Sequence, residues 1–230
     1  NVEDIKNLIT PRTKAIIINS PQNPTGGILE KEDLKAIAEL AIKNDIYIFS
    51  DEIYSRIIYE GEHHSIISIP GMKERTILMD GFSKTYAMTG WRLGYGVMPE
   101  EVAVQMTRLM TNVASCTATF TQIAGIEGLT GDQSAVEKMV EEFKKRRKII
   151  VEGLNSIEGF RCNNPRGAFY VFPNIEGTGM RSKELADFLL YNAGVACLNG
   201  AAFGKYGEGF LRFSYANSVE NIEKAIDCLL

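Results

Sequence analysis

Two histidines, the adjacent His63 and His64, are all that this 230-residue chain contains, and its four cysteines (Cys116, Cys162, Cys197 and Cys228) lie apart with no CxxC spacing. A zinc site gathers several such ligands, so no metal is expected, and the cysteines read as buried, reduced thiols of a cytoplasmic protein. Long apolar runs are missing too. Stretches such as Ala15 to Ile18 and Phe188 to Leu190 fall far short of the roughly 20 residues that cross a bilayer. The charges, 25 Lys+Arg against 29 Asp+Glu, leave a net −4, and the sequence offers no basic stripe that would release counterions from a nucleic acid. What is plentiful is apolar content, 45% of residues, enough to bury a core and to exclude a disordered, collagenous or disulfide-stapled chain. The first residue is Asn1, and Asn1-Val2-Glu3-Asp4 ahead of Ile5, Leu8 and Ile9 reads as a helix cap in mid-domain. The sequence is therefore expected to be a fragment.

The run AIIIN from Ala15 is apolar without alternation, as in a parallel strand buried on both faces. Glu30 to Asn44 then sets Leu34, Ile37, Ala38, Ala41 and Ile42 at helical spacing, and Ile46 to Phe49 forms a second strand, completing one βαβ unit. Further strands are predicted at Thr76 to Met79 and Leu93 to Val97, with a helix starting at Pro99-Glu100. The second half opens with a long helix capped by Asp132, whose run Lys144-Lys145-Arg146-Arg147-Lys148 reads as a solvated face. Short strands at Ala168 to Phe172, Val195 to Leu198 and Phe210 to Ser214 alternate with helices at Ser182 to Ala193 and Ser218 to Cys228. The expected fold is α/β, a doubly wound, mostly parallel and incomplete sheet over 1–141, followed by a smaller α+β domain over 142–230.

Ligands of open α/β sheets lie beyond the carboxyl ends of the strands. Past the first strand stands Asn23-Pro24-Thr25-Gly26, past the second Asp51 and then Tyr54, and past the third Ser83-Lys84 with Arg92 eight residues on. Each has an ordinary explanation when taken singly: a turn, a helix cap, a core aromatic, a surface ion pair, a solvated lysine. Together, in this order, they assemble an amide, a carboxylate, a phenol, an amine and a guanidinium on one edge.

SPQNPTGG, SDEIY and GFSKTYAMTGWRLGY, with RGAFYVFP and GEGFLRFSYANS further on, closely resemble the motifs of the class I and II aminotransferases, fold type I enzymes that use pyridoxal 5′-phosphate. The resemblance covers essentially the whole chain. It implies transfer of an amino group between an L-amino acid and a 2-oxo acid, in a cytoplasmic homodimer. It assigns the cofactor's Schiff base and the proton transfers to Lys84, the ring nitrogen to Asp51, the ring's 3′-oxygen to Tyr54 and Asn23, and the phosphate to Arg92 and Ser83. It gives the substrate's α-carboxylate to Arg212. Phe169 and Tyr170 serve either as pocket wall or as strand core. A lyase or synthase on the same scaffold, and a non-catalytic effector domain of a regulator, are the alternatives.

The chain departs from the family pattern at Gly81, where some relatives carry a phosphate-binding serine, and at Asn199-Gly200, where many have Pro-Gly. The family's upstream glycine-rich phosphate loop and ring-stacking aromatic are expected to lie ahead of Asn1.

Overall fold

The computed structural model describes residues 2–230, so the capping role expected of Asn1 lies outside the described residues. The chain divides into two units. The first holds the residues up to Pro21, Ile28–Arg56 and Glu62–Val136, and the second holds Gln22–Gly27, Ile57–Gly61 and Glu137–Leu230.

In the first unit, helix α1 (Val2–Leu8) precedes strand β1 (Ala15–Asn19), helix α2 (Lys31–Lys43) and strand β2 (Tyr47–Asp51). Strands β3 (Thr76–Gly81) and β4 (Gly94–Val97) complete a sheet of order β1-β2-β3-β4. The first three are parallel, in the register Ile18↔Ser50↔Leu78, whereas β4 returns antiparallel with Asp80 opposite Tyr95. The apolar stripe read from the sequence packs as α2 against the sheet: Leu34, Ile37, Ala38 and Ala41 meet Ile18, Ile48, Ile66 and Met72 in one buried cluster. Burial of the strands on both faces does not hold. Ile17 is 76% exposed, because side chains alternate along a strand and only the α2 face of β1 is covered among the described residues. Helices α3 (Glu100–Val113) and α4 (Thr119–Thr130) follow. The sequence pattern does not announce α4, whose apolar residues surround it without a stripe.

The second unit is built on helix α5 (Ser134–Asn155), strands β5 (Tyr170–Val171), β6 (Leu198–Asn199) and β7 (Leu211–Ser214), and helices α6 (Ser182–Phe188) and α7 (Val219–Leu229). The strands form an antiparallel sheet of order β5-β7-β6. Expected helix 182–193 is instead α6 continued by one π turn, Leu189–Ala193, and the expected strand at Val195 to Leu198 starts only at Leu198. Asp132 caps α5 as expected, accepting from the Ser134 N–H and hydroxyl at 3.0 and 2.6 Å.

Two expectations about side chains fail. The basic run on α5 is not wholly solvated: Arg147 turns inward, donates to Glu60 and to the Pro165 carbonyl at 2.8 Å each, and lies 5.0 Å over the Tyr59 ring. A guanidinium is weakly hydrated and can cover an aromatic face, which an ammonium does less readily. Of the four free cysteines, Cys116 and Cys228 are exposed rather than buried. Burial pushes the other two thiols up, Cys162 to about 12 and Cys197 to about 11.

Candidate active site

In the first unit the polar residues gather where the parallel strands end. Asp51 closes β2, half-buried, and its Oδ1 accepts from the Ile53 N–H at 3.3 Å. Its carbonyl accepts from the Asn19 side-chain amide and the Ser20 N–H at 3.1 and 3.2 Å, so the strand end is stapled to β1. Burial holds the Asp51 carboxyl above the usual carboxylate range; the Ile53 N–H opposes this, and the neighbouring Glu52 charge adds to it. Tyr54 sits in the turn that follows and is 3% exposed.

Beyond β3 the chain makes an excursion over residues 82–92 before returning as β4. A Cβ at Gly81 would lie 3.0 Å from both the Gly94 Cα and the Leu93 carbonyl, so the position stands at a close backbone crossing. The excursion is wound around buried Phe82, whose carbonyl accepts from the N–H groups of Tyr86 and Met88 at 3.3 and 3.2 Å and whose ring meets Tyr86 and Tyr95. Thr89 ties its two ends. The Thr89 hydroxyl donates to the Ser83 carbonyl at 3.0 Å, and the Arg92 guanidinium donates to the Thr89 carbonyl at 2.8 Å. Ser83, half-buried Lys84 and exposed Arg92 are thereby carried on one folded loop.

The second unit contains the other two nominated residues. The turn Gln22–Gly27 closes through Gln22 N–H to Gly27 carbonyl and Gly26 N–H to Gln22 carbonyl, 2.8 Å each. Gly26 has φ +68°, and a Cβ there would strike Pro165 at 2.3 Å; its carbonyl accepts from the Arg166 and Gly167 N–H groups at 2.9 Å. The turn so fixed presents Asn23, whose Oδ1 accepts from Arg212 Nη1 at 2.9 Å. Arg212 is not the solvent-facing strand residue that alternation allows. Its guanidinium is stacked 4.4 Å from the Tyr170 ring and 5.1 Å from the Phe203 ring, and its Nε is buried with no hydrogen-bond partner among the described residues. The pair Phe169 and Tyr170 divides between its two readings: Phe169 stacks on core Phe143 at 5.3 Å, while Tyr170 faces Arg212.

Three features escaped the sequence reading. The aromatic clamp of Tyr170 and Phe203 joins residues far apart in sequence. Asp80 accepts from the Tyr95 hydroxyl at 3.1 Å; burial chiefly raises both groups, the phenol to about 12 with the Asp80 charge adding. This pair was within reach of a correct antiparallel register. The third is a buried cluster on Glu52, where the signal was the histidine at 63 so close to SDE.

The whole sequence matches a family model described as aminotransferase class I and II, over residues 1–229. It is 46% identical over 230 residues to an aspartate aminotransferase of Pyrococcus abyssi and 45% identical to aromatic-amino-acid aminotransferase 2 of Thermococcus litoralis, covering in each case 99% of this chain and 59% of the relative. Among solved structures it is similar to an aromatic aminotransferase from Pyrococcus horikoshii, with a TM-score of 0.96 at 44% identity, covering 100% of this chain and 62% of that one. Thermus thermophilus aspartate aminotransferase with maleate gives a TM-score of 0.91 at 40% identity, over 99% and 59% of the two chains. The chain thus spans about 59% of the length of the curated relatives it matches.

Proposed function

Since this chain belongs to the class I and II aminotransferases, we propose that it carries the catalytic lysine and the α-carboxylate receptor of an enzyme moving an amino group between an L-amino acid and a 2-oxo acid. The observation that carries this reading is the loop 82–92, which folds Ser83, Lys84 and Arg92 together beyond the strand next to the one that ends in Asp51.

The donor set fits pyridoxal 5′-phosphate. A carbonyl, a basic ring nitrogen and a dianion ask for an amine, a carboxylate and a guanidinium, and the first unit supplies Lys84, Asp51 and Arg92. Arg212, with its buried and unpartnered Nε, suits the carboxylate that every substrate of the reaction bears. When bound, the cofactor supplies an electron sink for the charge left at the substrate's Cα after its proton departs.

The chain's own residues do the rest. Lys84 Nζ would hold the cofactor covalently, and its amine is the group suited to take the substrate's Cα proton as base and to give it back as acid. Asp51 keeps a proton on the ring nitrogen. Arg92 and the Ser83 hydroxyl hold the phosphate, for which a planar fork is better matched than an ammonium. Tyr54 and Asn23 are the donors that the family resemblance assigns to the 3′-oxygen. Arg212, oriented by Asn23 and stacked on Tyr170 and Phe203, would hold the α-carboxylate.

The division into a cofactor domain over 1–141 and a small domain over 142–230, a homodimeric parent with C₂ symmetry and a cytoplasmic site of action belong to the same reading. No helix among the described residues is long and apolar enough to cross a membrane. The relatives compared are named as aminotransferases, and no observation favours a lyase or a regulatory effector. Borohydride reduction of the cofactor-loaded full natural chain, followed by peptide mapping, tests the proposal: the label is expected on Lys84, and its appearance on another lysine overturns the assignment.

A further inference from the structure

Glu52 follows Asp51 directly, and nothing in the reaction above uses it. It is 5% exposed, and its N–H donates to the Met79 carbonyl at 2.9 Å, so the chain leaving β2 is still tied to β3. Its Oε1 accepts the hydroxyls of Ser50 and Ser65 at 2.9 and 2.6 Å, and its Oε2 lies 2.7 Å from His63 Nε2. A carboxylate can only accept, so the imidazole hydrogen stands on Nε2. His63 Nδ1 is then a buried nitrogen with no hydrogen-bond partner among the described residues. That arrangement commits the His63 imidazole to Glu52.

A buried carboxylate is costly unless donors surround it, and this one has three. The donors come from β2 itself and from the segment 63–65, so the side chain also braces the turn that carries Asp51 on one side and Tyr54 on the other. We propose that Glu52 is a positioning residue: its charge, fixed by Ser50, Ser65 and His63, strengthens the hold of Asp51 on the proton of the cofactor's ring nitrogen. The inference rests on the reading that Asp51 faces that nitrogen. Burial chiefly raises Asp51, Asp80 and Tyr95, and the Glu52 charge adds to each in the same direction. An added negative charge favours the protonated form of any group beside it, which is the sense in which the Asp51 pair retains its proton to higher pH.

The experiment loads the full natural chain with pyridoxal 5′-phosphate labelled with ¹⁵N in the ring and follows the nitrogen's chemical shift with pH. Glu52→Gln keeps the shape and removes the charge; the midpoint for loss of the ring proton is expected to fall by about half to one pH unit. Ser65→Ala loosens the carboxylate but keeps its charge, and is expected to leave the midpoint within about 0.2 unit while lowering the melting temperature. Should Glu52→Gln fail to fold, His63→Lys sets a permanent cation against Glu52 and is expected to lower the midpoint in the same direction. An unchanged midpoint in the charge-altering variants overturns the inference and leaves the proposed function intact. A ring nitrogen already unprotonated at neutral pH in the unsubstituted protein overturns the Asp51 role, and this inference with it.

Discussion

At the scale of single residues, the proposed roles divide into groups that act on charge developing in the reaction and groups that hold substrate. Asp51 is of the first kind. Asp51→Asn is expected to lower kcat by about two to three orders of magnitude while KM changes a few-fold, a loss on the order of 3–4 kcal/mol typical of a buried electrostatic contribution. Steady-state kinetics with a saturating amino donor measures it, and a rate within a few-fold of normal excludes the role. Arg212 is of the second kind. Arg212→Lys keeps the charge but loses the planar fork that meets Asn23 at 2.9 Å and stacks on Tyr170 and Phe203; KM for both amino and oxo acid is expected to rise about tenfold or more, with kcat less affected. The residue types were legible in the sequence because each follows a strand or sits in a distinctive motif. Their partners were not. Nothing in GEGFLRFSYANS says that Arg212 meets an asparagine far upstream, because that contact depends on the Gly26 turn docking on Pro165 and Gly167.

At the scale of elements, apolar periodicity located β1, α2, β2, β3, α5 and α7 within a few residues, since each buries one stripe against a neighbour. It failed where the stripe is absent. Helix α4 has apolar residues all round and two glycines, Gly125 and Gly128, that let Phe82 approach, and β5 and β6 are only two residues long. Helix α6 shows how one element is fixed by another. The Glu208 carboxylate accepts from the Ser182 N–H at 2.8 Å and its hydroxyl at 3.0 Å, placing a negative charge at the start of the helix. The Ser182 N–H, then its hydroxyl, hold the Glu208 carboxyl below the usual carboxylate range. A carboxyl depressed in the folded state binds its proton more readily when unfolded, so its stabilisation is present above the ordinary glutamate pKa and is lost as pH falls through the folded value. Thermal melts of Glu208→Gln are therefore expected to lie below the parent's at neutral pH and to converge with them in acid. A difference that persists unchanged below about pH 3 would show that the carboxylate's charge is not what tethers this loop.

For the molecule as a whole, the exposed apolar surface of the first unit is the feature with consequences. Ile17, Val113, Phe120 and Ile123 are each more than 60% exposed, and exposed large apolar side chains favour association. The 230 residues by themselves are expected to self-associate at micromolar concentration and to bind pyridoxal 5′-phosphate weakly compared with a chain of the relatives' full length. Sedimentation velocity and a spectroscopic cofactor titration check both, and a monomer with a stoichiometric, tightly bound cofactor and normal turnover would refute the expectation. The sequence by itself determined the α/β class, the family and the identity of the polar groups beyond the strands, because strand periodicity, turn chemistry and ordered motifs are local properties. Only the tertiary structure decided the antiparallel return of β4, the inward turn of Arg147, the grip of Tyr170 and Phe203 on Arg212 and the burial of Glu52 among Ser50, His63 and Ser65. Each of these depends on which surfaces meet after the chain has folded, and a guanidinium or carboxylate reads the same in sequence whether it ends in water or beneath a ring.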